Sequence, residues 1–488
     1  MPQPYRSFKL KYPGPAASSI RTPKSKRTRL QKGRAAQDPT AGLQIQNPNA
    51  AAIDVGGAEH WVALPPHRTS QPVRRFGCCT KDLQELADCL VEHGVDTVVM
   101  EATGNYWVAL YEMLEERQRR PVLVNARYAK NMSGKKGDIP DCQWMQKLHS
   151  YGLFANSFRP AEPVRVLRAY MRQREMLVGE ASRSIQHMQK ALTEMNVQLA
   201  NVISDISGET GLRIIDAILA GQRDLHALAR LRDRRIRASE KEITRALEGH
   251  WKEEQLFILE QARLSYAHTL EQIAACDQRL QEQTRALENR VVEASPAGAV
   301  AASPPTPLGQ GLESKGQAAA TPFRLGTELK RILGVDLTKI PGVGPLTAQV
   351  VLSEIGTDVN AWPSEKHFAS WLGLSPDHRI SGGKILGRST RPVVHRVRTA
   401  LRLSAYSLER SLSALGAKYR RLKRRLGAPK AITAMAHYLA RLIWRLIREG
   451  QEYVEKGMEL YEARYRAQRI RWLEKQAAEF QMKLVANA

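Results

Sequence analysis

Apolar positions along the chain fall into three successive rhythms. From Ala51 to about residue 126 they come in short runs parted by turn residues: AAIDVG, WVAL, PVRRFG, DTVVMEA and PVLVNA. Between them, TKDLQELADCLVEHG and NYWVALYEMLEERQ switch to helical spacing. Strands followed by alternating helix and strand predict an α/β domain with a mixed central sheet over residues 49–160.

Over residues 164–202 the apolar positions alternate by three and four, from Val164, Leu167 and Met171 through Val178 to Leu199 and Val202, broken only by Arg174. This predicts one long helix with a coiled-coil seam. A second seam, Leu259, Tyr266, Ile273, Leu280 and Leu287, recurs every seven residues, with Arg263, Asp277 and Thr284 among its poorer companion positions. Residues 161–293 thus read as a helical stalk that pairs with itself or with another subunit. Residues 294–322 are rich in Ala, Pro, Gly and Ser without periodicity and read as a flexible linker. A compact, mainly helical region follows over 323–448, and a charged amphipathic helix over 449–488 reaches roughly Lys483.

Composition sharpens this picture through charge. The 488 residues carry 74 Lys and Arg against 49 Asp and Glu, a formal net charge of +25. Residues 1–48 hold ten basic side chains against Asp38 alone and read as a disordered basic arm; residues 379–448 hold 18 against Glu409 alone. The remainder is almost neutral, so a polyanionic partner, nucleic acid first, is expected mainly at the C-terminal region. The five cysteines form no CxxC pair, which disfavours a disulfide framework or zinc ribbon and fits a reducing cytoplasm. No apolar run approaches a membrane span, and the first thirty residues hold no secretory apolar core.

Four carboxylates stand out. Asp54 lies inside the apolar run AAIDVG, where a charge costs several kcal/mol unless it meets a cation. Glu101 ends the strand VVMEA, at the edge of the sheet where sites usually form. Asp138 and Asp141, in KKGDIPDCQW, fall three apart at a helix start and share a face. Four converging carboxylates could hold one or two Mg²⁺ ions, with Mn²⁺ as the alternative, for phosphodiester chemistry. Separately, Asp138 reads equally as a helix cap and Glu101 as a surface charge.

In the C-terminal region, KIPGVGPLTAQVVLSEIG has the form of a helix-hairpin-helix, in which Gly342 and Gly344 would leave backbone N–H groups free for a phosphate. PGVG is equally an ordinary turn. Further on, Ser381 precedes Gly382 and Gly383 and is flanked by Arg379, Lys384, Arg388, Arg391, Arg396 and Arg398. A serine in such a loop is a candidate nucleophile toward a phosphodiester, although Ser-Gly-Gly is more often just a loop. KYRRLKRRLGAPK adds Arg420, Arg421, Lys423, Arg424 and Arg425, with Tyr419 interleaved, as a stripe for nucleic-acid backbone.

Taken in order, AAIDVGGAEHWVAL, VVMEATGNYW, the Asp138/Asp141 pair before a helix ending in YGLF, DISGETGLRIIDAILAG, IPGVGPLTA and WLGLSPDHRISGGK resemble bacterial insertion-sequence transposases of the "one-ten" and "eleven-eleven" groups, relatives of the Piv-type DNA invertases. The resemblance runs from about residue 50 to 450. It implies a RuvC-like, RNase H-type domain whose Mg²⁺-binding set is Asp54, Glu101, Asp138 and Asp141, and a transposase domain whose serine nucleophile is Ser381. It also implies donor and target DNA and an element-encoded noncoding RNA as partners, assembly into dimers or tetramers through the stalk, and a cytoplasmic, nucleoid-associated protein. Where family members commonly have Gly-Asn or Gly-Asp after the serine loop, this chain reads RSTRPVVHRVR, with Pro392 and His395. A Holliday-junction-type nuclease using the carboxylates alone and a non-catalytic nucleic-acid scaffold are the alternative readings.

Overall fold

The computed structural model describes residues 42–125, 138–290, 323–377, 379–387, 389–391 and 393–483, the side chains of 138–140, 379, 385 and 451–462 excepted. The expected linker and nearly all of the basic arm lie outside the described residues. The chain divides into two compact units, residues 1–157 and 158–488.

The first unit is a five-stranded sheet in the order β3-β2-β1-β4-β5, formed by β1 Ala50–Val55, β2 Glu59–Ala63, β3 Val73–Gly77, β4 Thr97–Glu101 and β5 Arg120–Val124. The pairs β1/β2 and β2/β3 are antiparallel, while β1/β4 and β4/β5 are parallel. This mixed sheet is consistent with an RNase H-like arrangement. Helices α1 (Thr80–Glu92) and α2 (Trp107–Glu116) cover one face, where Ile53, Val55, Val98 and Met100 meet Leu86, Leu90, Leu110 and Leu114. Helix α3 (Asp138–Ser150) covers the other, where Ala52, Val99, Val122 and Val124 meet Met145. Burial from both sides explains why β1 reads as an almost unbroken apolar run.

The expected arm ends a little earlier than its composition implies. Asn47 donates its side-chain N–H to the His149 carbonyl at 2.9 Å, and the Gln46 and Asn47 amides both donate to the Ser150 carbonyl, so these residues belong to the domain. At the same end of α3, Thr97 Oγ1 donates to the Arg120 carbonyl at 2.9 Å and accepts from His149 Nε2 at 3.0 Å. Among the described residues, buried His149 Nδ1 meets no hydrogen-bond partner. Burial first, and then the nearby Arg120 charge, lowers the His149 pKa from 6.5 to about 4. The unfolded chain therefore binds more protons than the folded one between these values, and stability falls as pH drops through that window. Urea unfolding at pH 5 should show about 2 kcal/mol less stability from this residue than at pH 7. A His149→Gln variant should have a shallower slope; equal slopes would overturn the assignment.

In the second unit, α4 (Glu162–Glu194) and α8 (Glu253–Ala286) pack along one another. Between them come α5 (Glu209–Leu219), α6 (Leu225–Arg230) and α7 (Glu240–Leu247), which close a core with Met188, Leu192, Leu259 and Tyr266. The seams thus meet within one chain. Arg174, the polar break in the first apolar pattern, and Asp277, one of the polar positions in the second, pair with each other at 2.5 Å. The first helix is shorter than expected: it stops at Glu194 because Asn196 takes a left-handed conformation, φ 58°, and Leu199 continues the core from a short 3-10 turn.

From residue 323 on lie α9 (Leu325–Leu333), α10 (Pro345–Ile355), α11 (Glu365–Trp371), the hairpin β6 (Arg379–Ser381) and β7 (Lys384–Gly387), then α12 (Arg396–Ser407), α13 (Ala414–Leu426), α14 (Ala428–Glu449) and α15 (Gln451–Glu479). Their core, built around Phe368, Leu401, Met435 and Ile443, also takes in Leu167 of α4 and Leu280 of α8. Buried Glu354 on α10 accepts both prongs of Arg172 at 3.0 and 3.2 Å and lies 3.4 Å from Arg168, which fixes α10 to α4. Two expectations change here. Tyr419 is fully buried in the core rather than interleaved among exposed basic residues. Among the described side chains of helix α15, Ile470, Trp472 and Leu473 form no single apolar stripe, since they point around its circumference and are all exposed.

Candidate active site

The register of the sheet brings the first two carboxylates together. Ile53 of β1 stands opposite Met100 of β4 in parallel pairing, so Asp54 and Glu101 are the next neighbours, with backbones about 4.8 Å apart. Alternation puts both on the face that carries Ala52 and Val99, the face under α3. They are the half-buried members of otherwise buried strands. Glu101 accepts a hydrogen bond from Thr103 Oγ1 at 3.0 Å, which orients its carboxylate from the following turn.

Helix α3 runs antiparallel to β1. Its Gln146 side chain donates to the Ala50 carbonyl at 3.0 Å, and one turn earlier Cys142 lies close to Asp54. The Cys142 thiol is pushed up to about 12, by burial first, with the Asp54 charge next and the Asp141 charge adding to it. One buried sulfur therefore feels both carboxylates. The first turn of α3 is delivered to the carboxyl end of β1 and β4, with exposed Asp141 there. Asp138 begins that helix; its side chain lies outside the described residues.

Among the described residues, no three His, Cys, Asp or Glu side chains gather closely enough to hold a metal ion. The neighbouring pair Asp54 and Glu101, with Asp141 on the helix above, still fits a hard divalent cation, which takes one or two carboxylates and keeps several waters. Cys142, Gln146 and Thr103 were not singled out in the sequence. The only trace they leave there is their position one turn or two residues from a named carboxylate.

The serine lies at a different kind of place. Within the region expected to be mainly helical, the segment read as a serine-bearing loop is a β-hairpin, with Ser381 opposite Lys384 across the two-residue turn Gly382-Gly383. Both glycines have positive φ, 55° and 75°, as a two-residue turn of this type demands. Among the described residues nothing lies within 4 Å of where a Cβ on either would stand, so they serve the turn rather than close packing. Ser381 and Lys384 are both exposed and share a face.

The other flanking cations divide. Arg398 donates to the Arg391 and Val393 carbonyls at 3.1 and 3.0 Å and to Thr390 Oγ1 at 3.2 Å, tying down the return from the hairpin. Arg391 donates to Ser370, and Arg396 pairs with Glu175. Arg379 begins β6, its side chain outside the described residues, as is the whole of Arg388. His395, part of the departing segment, holds local structure together. Its Nδ1 accepts from the Val397 amide at 3.2 Å and caps α12, and its ring meets Trp371 edge-on at 4.5 Å. Pro392 lies outside the described residues.

The PGVG turn joins the α9 region to α10. Gly342 has φ 88°, and a Cβ there would come within 2.8 Å of the Ser404 carbonyl, so this glycine is needed where the turn presses on α12. Gly344 caps α10 with open space around it. On α13, Arg420 donates to the Glu409 and Ser411 carbonyls and Lys423 pairs with Glu409, while Arg421 lies over the Tyr465 ring of α15. Arg424 and Arg425 are exposed at the end of the helix. Among the described residues, no helix is long and apolar enough to cross a membrane.

Residues 51–197, which hold the carboxylates, match a family of transposases of the DEDD type, and residues 336–420, which hold the hairpin, match the transposase family IS116/IS110/IS902. Among curated proteins, the chain is 36% identical over 125 residues to the putative transposase y4pF/y4sB of Sinorhizobium fredii, across 24% of this chain and 32% of that protein. It is 31% identical over 129 residues to the insertion element IS110 uncharacterized 43.6 kDa protein of Streptomyces coelicolor, across 25% of this chain and 32% of that one. The matched stretch spans about a third of each relative's length. With both family matches in sequence order, one on the carboxylate-bearing sheet and one on the serine hairpin, the chain is similar in two separate segments to insertion-sequence transposases of the IS110 type.

Proposed function

We propose that this chain is a DNA transposase that cleaves and rejoins strands through a serine–DNA intermediate. The observation that carries this reading is the presentation of Ser381, exposed and beside Lys384 at the tip of a hairpin, within the segment that matches a transposase family. In the proposed step, Ser381 Oγ attacks a backbone phosphorus and its proton passes to surrounding water. A P–Oγ bond forms, the bond to one deoxyribose oxygen breaks, and that oxygen leaves as a protonated hydroxyl. A hydroxyl of the new strand reverses the exchange and frees the serine. Lys384 stabilises the charge that accumulates on the phosphate oxygens.

Asp54, Glu101, Asp138 and Asp141 are the residues proposed to hold a divalent cation, Mg²⁺ or Mn²⁺. When bound, such an ion supplies Lewis-acid stabilisation and activation of an attacking oxygen. The open backbone at Gly344 and the basic side chains Lys384, Arg424 and Arg425 are proposed to contact nucleic-acid phosphates. Guidance by an element-encoded RNA and assembly into dimers or tetramers belong to the same reading and follow from the family resemblance.

The test incubates the full chain with duplexes carrying the element's ends. Formation of a protein–DNA adduct that survives denaturation, dependent on divalent cation and lost with a chelator, is the expected result. Strand breakage without an adduct would favour the junction-type nuclease. Salt-sensitive binding with no breakage would favour the scaffold.

A further inference from the structure

Helices α13 and α15 enclose a groove of about 1050 Å³ whose lining includes no residue of the serine hairpin. Its α13 wall carries Arg420, Arg421, Arg424 and Arg425, three and four residues apart and therefore on one side of that helix. Its α15 wall carries Tyr465, Arg469 and Trp472, spaced by four and three and facing the same way. Five arginines line this space, and no acidic side chain does so among the described residues.

Internal structure accounts for only part of that wall. Arg420 is spent on two backbone carbonyls, and Arg421 lies 5.5 Å from the centre of the Tyr465 ring. Trp472 remains 58% exposed, a large aromatic face left in water beside a concentration of like charge. A fold gains nothing from crowding cations around an uncovered indole. A polyanion that also offers flat apolar faces answers both features. In a duplex the base faces are already stacked on one another; in a single strand they are open. Tyr465 and Trp472 are seven residues apart, about 10 Å along the helix, which gives each ring its own base.

We propose that this groove binds single-stranded nucleic acid, with unpaired bases stacked on Trp472 and Tyr465 and phosphates held by Arg424, Arg425 and Arg469. The assignment rests on the nucleic-acid reading given above and adds to it the strandedness of the ligand and a site distinct from the proposed chemistry.

The probe is a short fluorescent oligonucleotide, used as a single strand and as the matching duplex, with the full chain and anisotropy read at several salt concentrations. Trp472→Ala should weaken single-strand binding about tenfold and leave duplex binding within about twofold, and Trp472→Phe should recover most of the loss. Arg424→Ala and Arg425→Ala should each lower the single-strand salt slope by about 0.7. Equal weakening of both probes, or no weakening of either, would overturn the proposal. The two readings fail separately. A chain that discriminates single strands through Trp472 but never breaks DNA keeps the groove and loses the transposase chemistry. One that forms the serine adduct while Trp472→Ala binds single strands normally keeps the chemistry and loses the groove.

Discussion

Ser381→Ala should abolish the denaturation-resistant protein–DNA adduct and lower strand transfer by on the order of 10³-fold or more, the scale on which removing a nucleophile acts. It should do so without unfolding anything. The side chain is exposed, the turn geometry is set by Gly382 and Gly383, and surface substitutions of this kind stay within about 0.5 kcal/mol. The thermal midpoint and the salt-dependent binding of DNA should therefore match the unaltered chain. Ser389→Ala is the matched control, since Ser389 is exposed just beyond the other arm of the hairpin, where its carbonyl accepts from the Asp377 amide at 2.7 Å. If the adduct vanishes with Ser389→Ala and persists with Ser381→Ala, the nucleophile has been assigned to the wrong residue.

The sheet was legible because its pattern is local. A strand buried on both faces has to be apolar throughout, so AAIDV announces β1 and makes Asp54 conspicuous within it. The convergence of Asp54 with Glu101 was less accessible, because it depends on parallel register between strands more than forty residues apart. Cys142 could not be singled out at all: its meaning arises only when α3 folds back across β1. The hairpin was missed for a related reason. Its strands are three and four residues long with Ile380 and Leu386 exposed, so no alternating buried face marks them. Only the Gly-Gly pair carried a signal, and it was read as a loop.

Charge was legible in amount but not in use. The 18 basic side chains of residues 379–448 look alike in sequence. In three dimensions, Arg398 and Arg420 are consumed by backbone carbonyls and Arg396 by Glu175, whereas Arg424 and Arg425 face a groove. The paired long helices α4 and α8 show the same limit. Arg174 and Asp277 each interrupt an apolar pattern, and only the pairing of α4 with α8 reveals that the two interruptions are one ion pair.

Asp54→Asn should separate metal binding from folding. In a chelator, asparagine keeps the size and shape of the side chain at its half-buried place on β1, and the variant's thermal midpoint there is the reference against which the cation effect is read. Adding divalent cation should separate the variant from the unaltered chain. A cation present at ten times its dissociation constant stabilises the folded state by about 1.4 kcal/mol, a shift of several degrees for a domain of this size. The asparagine variant should lose most of that shift and, with it, strand breakage by on the order of 10³-fold. Ser381→Ala should keep the cation-dependent shift in full and lose only the chemistry, so the two substitutions produce opposite signatures. A cation-dependent shift of equal size in Asp54→Asn and the unaltered chain would remove Asp54 from the metal site, and the carboxylate face of the sheet would need another explanation.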